Sequence, residues 1–120
     1  MSSTFHKYGG FSTVSKVVMD FYERVLDSDV VGHHFDDVDM ARLMDHQTKF
    51  VSSLMGGPAA MNDDQLRRVH KGLDITPAEF DEIVTLLSEA MADNSMEHQD
   101  IRAVAREFEN KRHLIVAQAV

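Results

Sequence analysis

Apolar residues recur at spacings of three and four along nearly the whole chain, and this periodicity restricts the fold more than any other feature of the sequence. Such spacings place apolar side chains on one face of an α-helix. No stretch alternates apolar and polar residues between hairpin turns, as a half-buried strand would. We therefore predict an all-α protein, and its 120 residues predict a single domain spanning 1–120.

The first two helical segments are bounded by glycines. After Gly9-Gly10, Ser12 or Thr13 is available to cap a helix. Its predicted inward stripe consists of Phe11, Val14, Val17, Val18, Phe21, Val25 and Leu26. A second helix is predicted to stop at Gly56-Gly57-Pro58. Its stripe consists of Met40, Leu43, Met44, Gln47, Phe50, Val51 and Leu54.

The clearest helix start in the chain lies at Thr76. Thr76 as N-cap, Pro77 at the first helical position and Glu79 three residues after the cap predict a capping box. Asn94 is a suitable C-cap for the same helix. A last helix is predicted on Ile101, Val104, Phe108 and Ile115.

Charge and composition exclude several functions. Twenty acidic against twelve basic residues give a net charge of −8, which repels phosphate backbones and anionic lipids. No apolar run approaches the ~20 residues needed to cross a bilayer. The absence of cysteine excludes disulfides and thiolate metal sites. We predict a cytoplasmic monomer without nucleic-acid or membrane partners.

Three helical stripes contain polar side chains that could carry chemistry. His70 lies about 40° from Leu66 and about 60° from Leu73 around a short helix, so it faces inward. Judged from that helix alone, a hydrogen-bonded structural histidine is the favoured interpretation. Gln47 lies within the stripe of the second helix, and Tyr22 lies at the edge of the first.

Taken together, these side chains favour a metal site. A buried imidazole opposite buried hydrogen-bond donors suits a metal that binds a polar ligand such as dioxygen. Without cysteine or a calcium-binding loop, haem iron is the most natural metal. The alternative is a non-catalytic helical interaction module whose histidines are structural.

The chain resembles a group I truncated haemoglobin, and the resemblance covers nearly its whole length. The order and spacing of the matching segments are more specific than any one of them. The segments are Tyr8-Gly9-Gly10, 20–26, 39–43, His46-Gln47, Gly56-Gly57-Pro58 and Val69-His70-Lys71.

The resemblance implies a truncated globin fold, a two-over-two helical sandwich, and one haem b per chain. It implies that His70 is the proximal iron ligand and that Phe35 packs on the haem face. Tyr22 and Gln47 would be the distal hydrogen-bond donors. Further residues would line the pocket or contact the haem: Leu43, Phe50, Val51, Leu54 and Val69.

The resemblance also implies ligands and partners. Dioxygen, nitric oxide and carbon monoxide would bind, and oxidation of nitric oxide to nitrate, or protection against related reactive species, would need a reductase. Among the cations, Arg42, Lys49, Arg68 and Lys71 are candidates for pairing with the haem propionates.

Two further histidines have roles that only some members of this group share. His46, one residue before the distal amide, is expected to bind iron as a sixth ligand when gas is absent. His113 falls where some members attach a histidine covalently to a haem vinyl group. Yet it lies about 140° from the stripe of its helix, so periodicity predicts an exposed side chain.

Overall fold

The structure is a computed structural model that describes residues 4–32, 39–57 and 75–116, and the helices account for most of these residues. No strand occurs within these ranges, which confirms the all-α prediction. The helices are α1 (Thr4–Lys7), α2 (Phe11–Asp27), α3 (Met40–Leu54), α4 (Pro77–Asp93), α5 (His98–Glu109) and α6 (Arg112–Ile115).

Helix α2 forms the centre of the fold, although its sequence-based description was wrong at three points. Its central valines and Phe21 are buried as predicted. Phe11 and Leu26, at its ends, are 46% and 51% exposed, because the core does not extend to those turns. The N-cap is Gly10 rather than Ser12 or Thr13, and the Thr13 hydroxyl donates to the Tyr8 carbonyl. Gly10 has a φ of +73°, a conformation that favours glycine.

Helix α4 begins as the sequence predicts. The Glu79 amide donates to the Thr76 hydroxyl at 3.1 Å, and the Thr76 amide donates to the Glu79 carboxylate at 2.9 Å. Asn94 is the C-cap, and its side-chain amide donates to the carboxylate of Asp20 on α2 at 2.7 Å. The two ends of α4 are therefore fixed by different means, one within the helix and one against its neighbour.

The predicted last helix is two helices. The chain turns at Asn110 and Lys111, and α6 begins at Arg112. The Arg112 guanidinium bonds both carboxylate oxygens of Glu109, at 2.9 and 2.7 Å, and also pairs with Asp81 on α4. It lies 4.4 Å from the centre of the Phe80 ring. These contacts hold α6 against α4 while Leu114 and Ile115 bury their side chains.

The four long helices that the structure describes pack in a closed ring, in which each helix contacts two others. Helix α2 packs on both α3 and α4, α4 packs on α5, and α3 meets α5. An aromatic column crosses this arrangement: the Phe50 ring lies 5.8 Å from Phe108, and Phe108 stacks on Phe80 at 5.0 Å. The column joins α3, α5 and α4 through side chains that are all buried.

The short helix α1 closes the far end of α3. The Phe5 amide donates to the Met55 carbonyl at 2.9 Å, and its ring is buried. A Cβ on Gly57 would lie only 2.8 Å from that ring, so only glycine fits there without displacement. Tyr8 directly follows α1, and its hydroxyl donates to Asp100 on α5 at 2.6 Å.

Candidate functional site

The candidate pocket is built on one face of α3. Phe50, Val51 and Leu54 are buried in the C-terminal half of the helix. Gln47 and Leu43, about one and two turns before Phe50 on the same face, are only half-buried. All five residues were predicted to line the pocket. The face therefore changes from a packed wall to a partly open one along the helix.

Among the described residues of the predicted site, Tyr22 is the most strongly buried polar side chain. It is 4% exposed, and its ring meets Phe21 edge to face at 4.8 Å. Burial raises the pKa of the Tyr22 phenol, because the phenolate would lose its hydration. The hydroxyl is therefore protonated at neutral pH and is a hydrogen-bond donor. Since α2 packs on α3, Tyr22 belongs to the same helix pair as Gln47.

His46 and the two described cations of α3 share the outer face of that helix. His46 is exposed, as are Arg42 four residues before it and Lys49 three residues after it. The Lys49 ammonium lies 3.2 Å from the Asp45 carboxylate. Neighbours at these spacings lie side by side on a helix, so His46 is flanked by positive charge.

His113 lies on α6 and is exposed, as its position on the helix predicted. Both chain neighbours of His113 are fixed in place. The Arg112 guanidinium bonds Glu109, and the Leu114 side chain is buried. The predicted residues Phe35, Arg68, Val69 and His70, and the cation Lys71, lie outside the described residues. The proximal half of the site therefore stays a prediction from the sequence.

The described half fits a large flat apolar cofactor. On α3, Met40 and Met44 are half-buried beside Leu43, although they contact the core only partly. A bulky apolar group could cover these side chains on the open half of the face. The site prediction omitted both methionines, although they belong to the helical stripe that revealed the others. Within residues 4–32, 39–57 and 75–116, no three His, Asp or Glu side chains converge on a metal position.

A family model described as bacterial-like globin matches residues 3–117. Among curated relatives, a group 1 truncated haemoglobin of Tetrahymena thermophila is 29% identical over 110 residues, 92% of this chain and 91% of that protein. The group 1 truncated haemoglobin GlbN of a Synechocystis strain is 41% identical over 73 residues, 61% of this chain and 59% of that protein.

Solved structures agree with the sequence relatives. The Fe(III) form of the truncated haemoglobin of Tetrahymena pyriformis superposes with a TM-score of 0.89 at 26% identity, covering 98% of this chain and all of that one. The 2/2 haemoglobin of a Synechococcus strain, in the cyanomet state with covalently attached haem, has a TM-score of 0.89 at 25% identity and the same coverage.

The fold and the site therefore define a globin. The chain belongs to the bacterial-like globin family and, within it, to the group I truncated haemoglobins with their two-over-two fold. Membership implies a haem cofactor and the binding of small gases such as dioxygen. No helix in the described part of the chain is both long and apolar enough to cross a membrane.

Proposed function

We propose that the protein holds one haem b between His70 and α3 and reversibly binds dioxygen, with nitric oxide and carbon monoxide as further ligands. His70 would hold the iron, and Phe35 and Val69 would pack near the macrocycle. Haem iron, when bound, supplies the gas-binding atom and a one-electron redox couple. The single observation that carries the proposal is the burial of Tyr22 on α2, the helix that packs against α3.

The distal side chains are suited to holding a polar diatomic ligand. A bound dioxygen would carry partial negative charge, and the protonated phenol of buried Tyr22 would stabilise that charge. Gln47 would supply a second donor from its amide. Apolar Phe50, Val51 and Leu54 keep water away from the ligand, which strengthens both hydrogen bonds.

The same arrangement supports nitric oxide dioxygenation and protection against related reactive species. In that reaction nitric oxide, dioxygen and one electron combine to give nitrate, so both oxygen atoms reach the nitrogen. The electron must come from a reductant that restores the ferrous state after each turnover. A reductase is therefore part of the proposal.

We propose two additional histidine roles. His46, flanked by Arg42 and Lys49, would turn inward and bind iron when gas is absent. Its exposed position leaves it free of the core packing that would oppose this rotation. Of the two described cations, Arg42 is the better candidate for pairing with a haem propionate, because Lys49 already pairs with Asp45. Arg68 and Lys71 are the other candidates.

His113 would add its ring nitrogen to a haem vinyl group. In this addition the N–H bond breaks, an N–C bond forms, and the proton goes to the terminal vinyl carbon, without net oxidation or reduction. The fixed neighbours of His113, Arg112 and Leu114, support the proposal, because they restrict the positions that the imidazole can reach and so favour reaction with a nearby vinyl group.

Haem uptake tests the central proposal. Purified protein titrated with haemin should show a saturating Soret band at one haem per chain, and His70→Ala should lose the proximal ligand and most of the uptake. His98→Ala, which removes an exposed histidine of α5, is the matched control and should behave as the wild type. Equal uptake and an unaltered spectrum in His70→Ala would refute the assignment. A protein that takes up no haem would instead favour the interaction module.

Two spectroscopic experiments test the remaining histidines. The gas-free ferric protein should have a low-spin spectrum that becomes high-spin in His46→Leu. A wild-type protein that is already high-spin would exclude the sixth ligand. After reduction, acidified organic solvent should fail to extract haem from the wild type and should extract it from His113→Ala. Complete extraction from both would exclude the covalent bond.

A further inference from the structure

The outer face of α2 exposes apolar side chains that the fold does not use. Met19 and Leu26 are 53% and 51% exposed, and Val30, just after the helix, is 43% exposed. Met19 and Leu26 are seven residues apart, so they lie on the same side of the helix two turns apart. Glu23 occupies the turn between them and is also exposed. We refer to Met19, Glu23, Leu26 and Val30 as the α2 outer face.

Carboxylates border this face on one side. An open groove of about 320 Å³ runs between α2 and α4, lined by Asp20, Glu23, Arg24, Asp27 and Asp93. The Arg24 guanidinium pairs with Asp93 and lies 3.8 Å from Glu89 across the helix interface. The only cation of the groove lining is therefore already engaged, and Glu23 and Asp27 present negative charge to solvent.

We infer that the α2 outer face is the docking surface for a basic protein, the one-electron donor that the proposed function requires. This inference rests on the proposed function. Exposed apolar side chains supply contact area, and the bordering carboxylates select and orient a partner of opposite charge. The net charge of −8 adds long-range attraction for the same partner.

The position of the face relative to the pocket supports this partner. Leu26 lies four residues after Tyr22 on α2, so the two side chains are neighbours along the helix. A protein docked on Leu26 would therefore contact the turn of α2 that adjoins Tyr22. A donor bound there would lie one helix turn from Tyr22, the residue that the proposed function assigns to the distal side of the haem.

A second copy of this chain is a poorer occupant. A twofold interface would bring the same patch of each copy together and place the Glu23 and Asp27 carboxylates of both copies close to one another. Juxtaposed like charges oppose association. An anionic membrane surface is repelled for the same reason.

Cytochrome c, a small basic haem protein, is a suitable probe. Isotope-labelled protein in its ferric cyanide form is titrated with ferric cytochrome c, so that no electron transfer occurs. We expect NMR shift changes confined to residues 19–30 and to Asp93, with affinity falling as salt is raised from 20 to 150 mM. Glu23→Gln and Leu26→Ser should each weaken binding by about threefold or more. Glu107→Gln, which removes one exposed carboxylate from α5, is the matched control and should bind nearly as the wild type.

Electron transfer provides an independent readout. Under argon, the ferrous protein is mixed with ferric cytochrome c, and the second-order rate constant should fall in the same two variants and not in the control. Shift changes spread over the acidic surface, or equal effects of Glu23→Gln and Glu107→Gln, would overturn the inference. So would a dimer in sedimentation whose interface contains residues 19–30. A protein that takes up haem normally and fails these tests refutes the docking surface alone, whereas absent haem uptake refutes the proposed function.

Discussion

Replacing Tyr22 with phenylalanine isolates the contribution of a single oxygen atom to ligand retention. The side chain is 4% exposed and its ring packs against Phe21 at 4.8 Å. Phenylalanine keeps that ring and its neighbours, so the fold and the shape of the pocket should be preserved. What is lost is the phenolic donor.

The magnitude follows from the environment of the phenol. A hydrogen bond to a charged acceptor contributes about 1.5–3 kcal/mol, and every ~1.4 kcal/mol is tenfold in an equilibrium constant. Dioxygen release should therefore become about tenfold to a hundredfold faster. We expect the upper half of this range, because a side chain that is only 4% exposed leaves little access for water to replace the lost donor. Carbon monoxide carries little charge, so its release should change by less than about threefold.

Stopped-flow mixing of the oxygenated protein with carbon monoxide measures the release rate. Tyr8→Phe is the matched control, because it removes the other tyrosine hydroxyl of the chain, at the contact between α1 and α5. Since burial raises the pKa of Tyr22, its phenol remains protonated and the wild-type rate should be flat from about pH 6 to 9. Equal dioxygen release from Tyr22→Phe and wild type, or an equal change for both gases, would refute the reasoning.

Three further predictions concern stability. Gly57→Ala should cost about 1–3 kcal/mol in the free energy of unfolding measured in urea, because its Cβ would lie 2.8 Å from the Phe5 ring. An unchanged urea midpoint would show that α1 can shift away from residue 57 at no cost. Thr76→Ala removes the capping box and should cost about 1 kcal/mol, lowering the calorimetric melting temperature by about 3–6 °C, whereas Thr76→Ser should restore most of it. The Lys7 ammonium holds the pKa of Asp100 below its ordinary value. The ionised Asp100 carboxylate therefore stabilises the fold above about pH 4, and this contribution is lost as pH falls through the lowered pKa. Asp100→Asn should be less stable than wild type at pH 7, and the gap should close near pH 2; a constant gap would contradict this.

Much of the fold could be read from the sequence because its signals are local. Thr76, Pro77 and Glu79 specify a helix start through contacts within four residues, and the structure reproduces both hydrogen bonds. The stripe of α2 likewise predicted a buried central face. These features depend on helical geometry alone and need no knowledge of distant partners.

The sequence-based predictions that were wrong depend on contacts between residues far apart in the chain. Periodicity assigns Leu26 to the inward stripe, but whether the last turn of α2 is covered depends on where other helices end. The break before α6 is another such case. Arg112 fixes it by meeting Asp81, 31 residues earlier, and no local pattern announces that pairing.

The candidate site divides in the same way. Tyr22 lies at the edge of its stripe by helical angle, yet it is fully within the core, because α2 packs on both α3 and α4. Gln47 is half-buried although its position in the stripe is central. Its burial depends on what covers the open half of α3, which helical spacing does not specify. The assignment of His70 rests on family resemblance and on the inward position that helical periodicity predicts for it.

The aromatic column has a consequence for how this pocket can diversify. Phe50 is the first ring of the series that continues through Phe108 to Phe80, and it is also a proposed wall of the gas pocket. Enlarging the pocket by truncating Phe50 would remove a ring from that series and leave a cavity beside Phe108. The free energy of unfolding would fall by about 3–5 kcal/mol. Variation in ligand affinity is therefore more accessible at Leu43 and Gln47, where the helix face is only half-buried, than at its densely packed end.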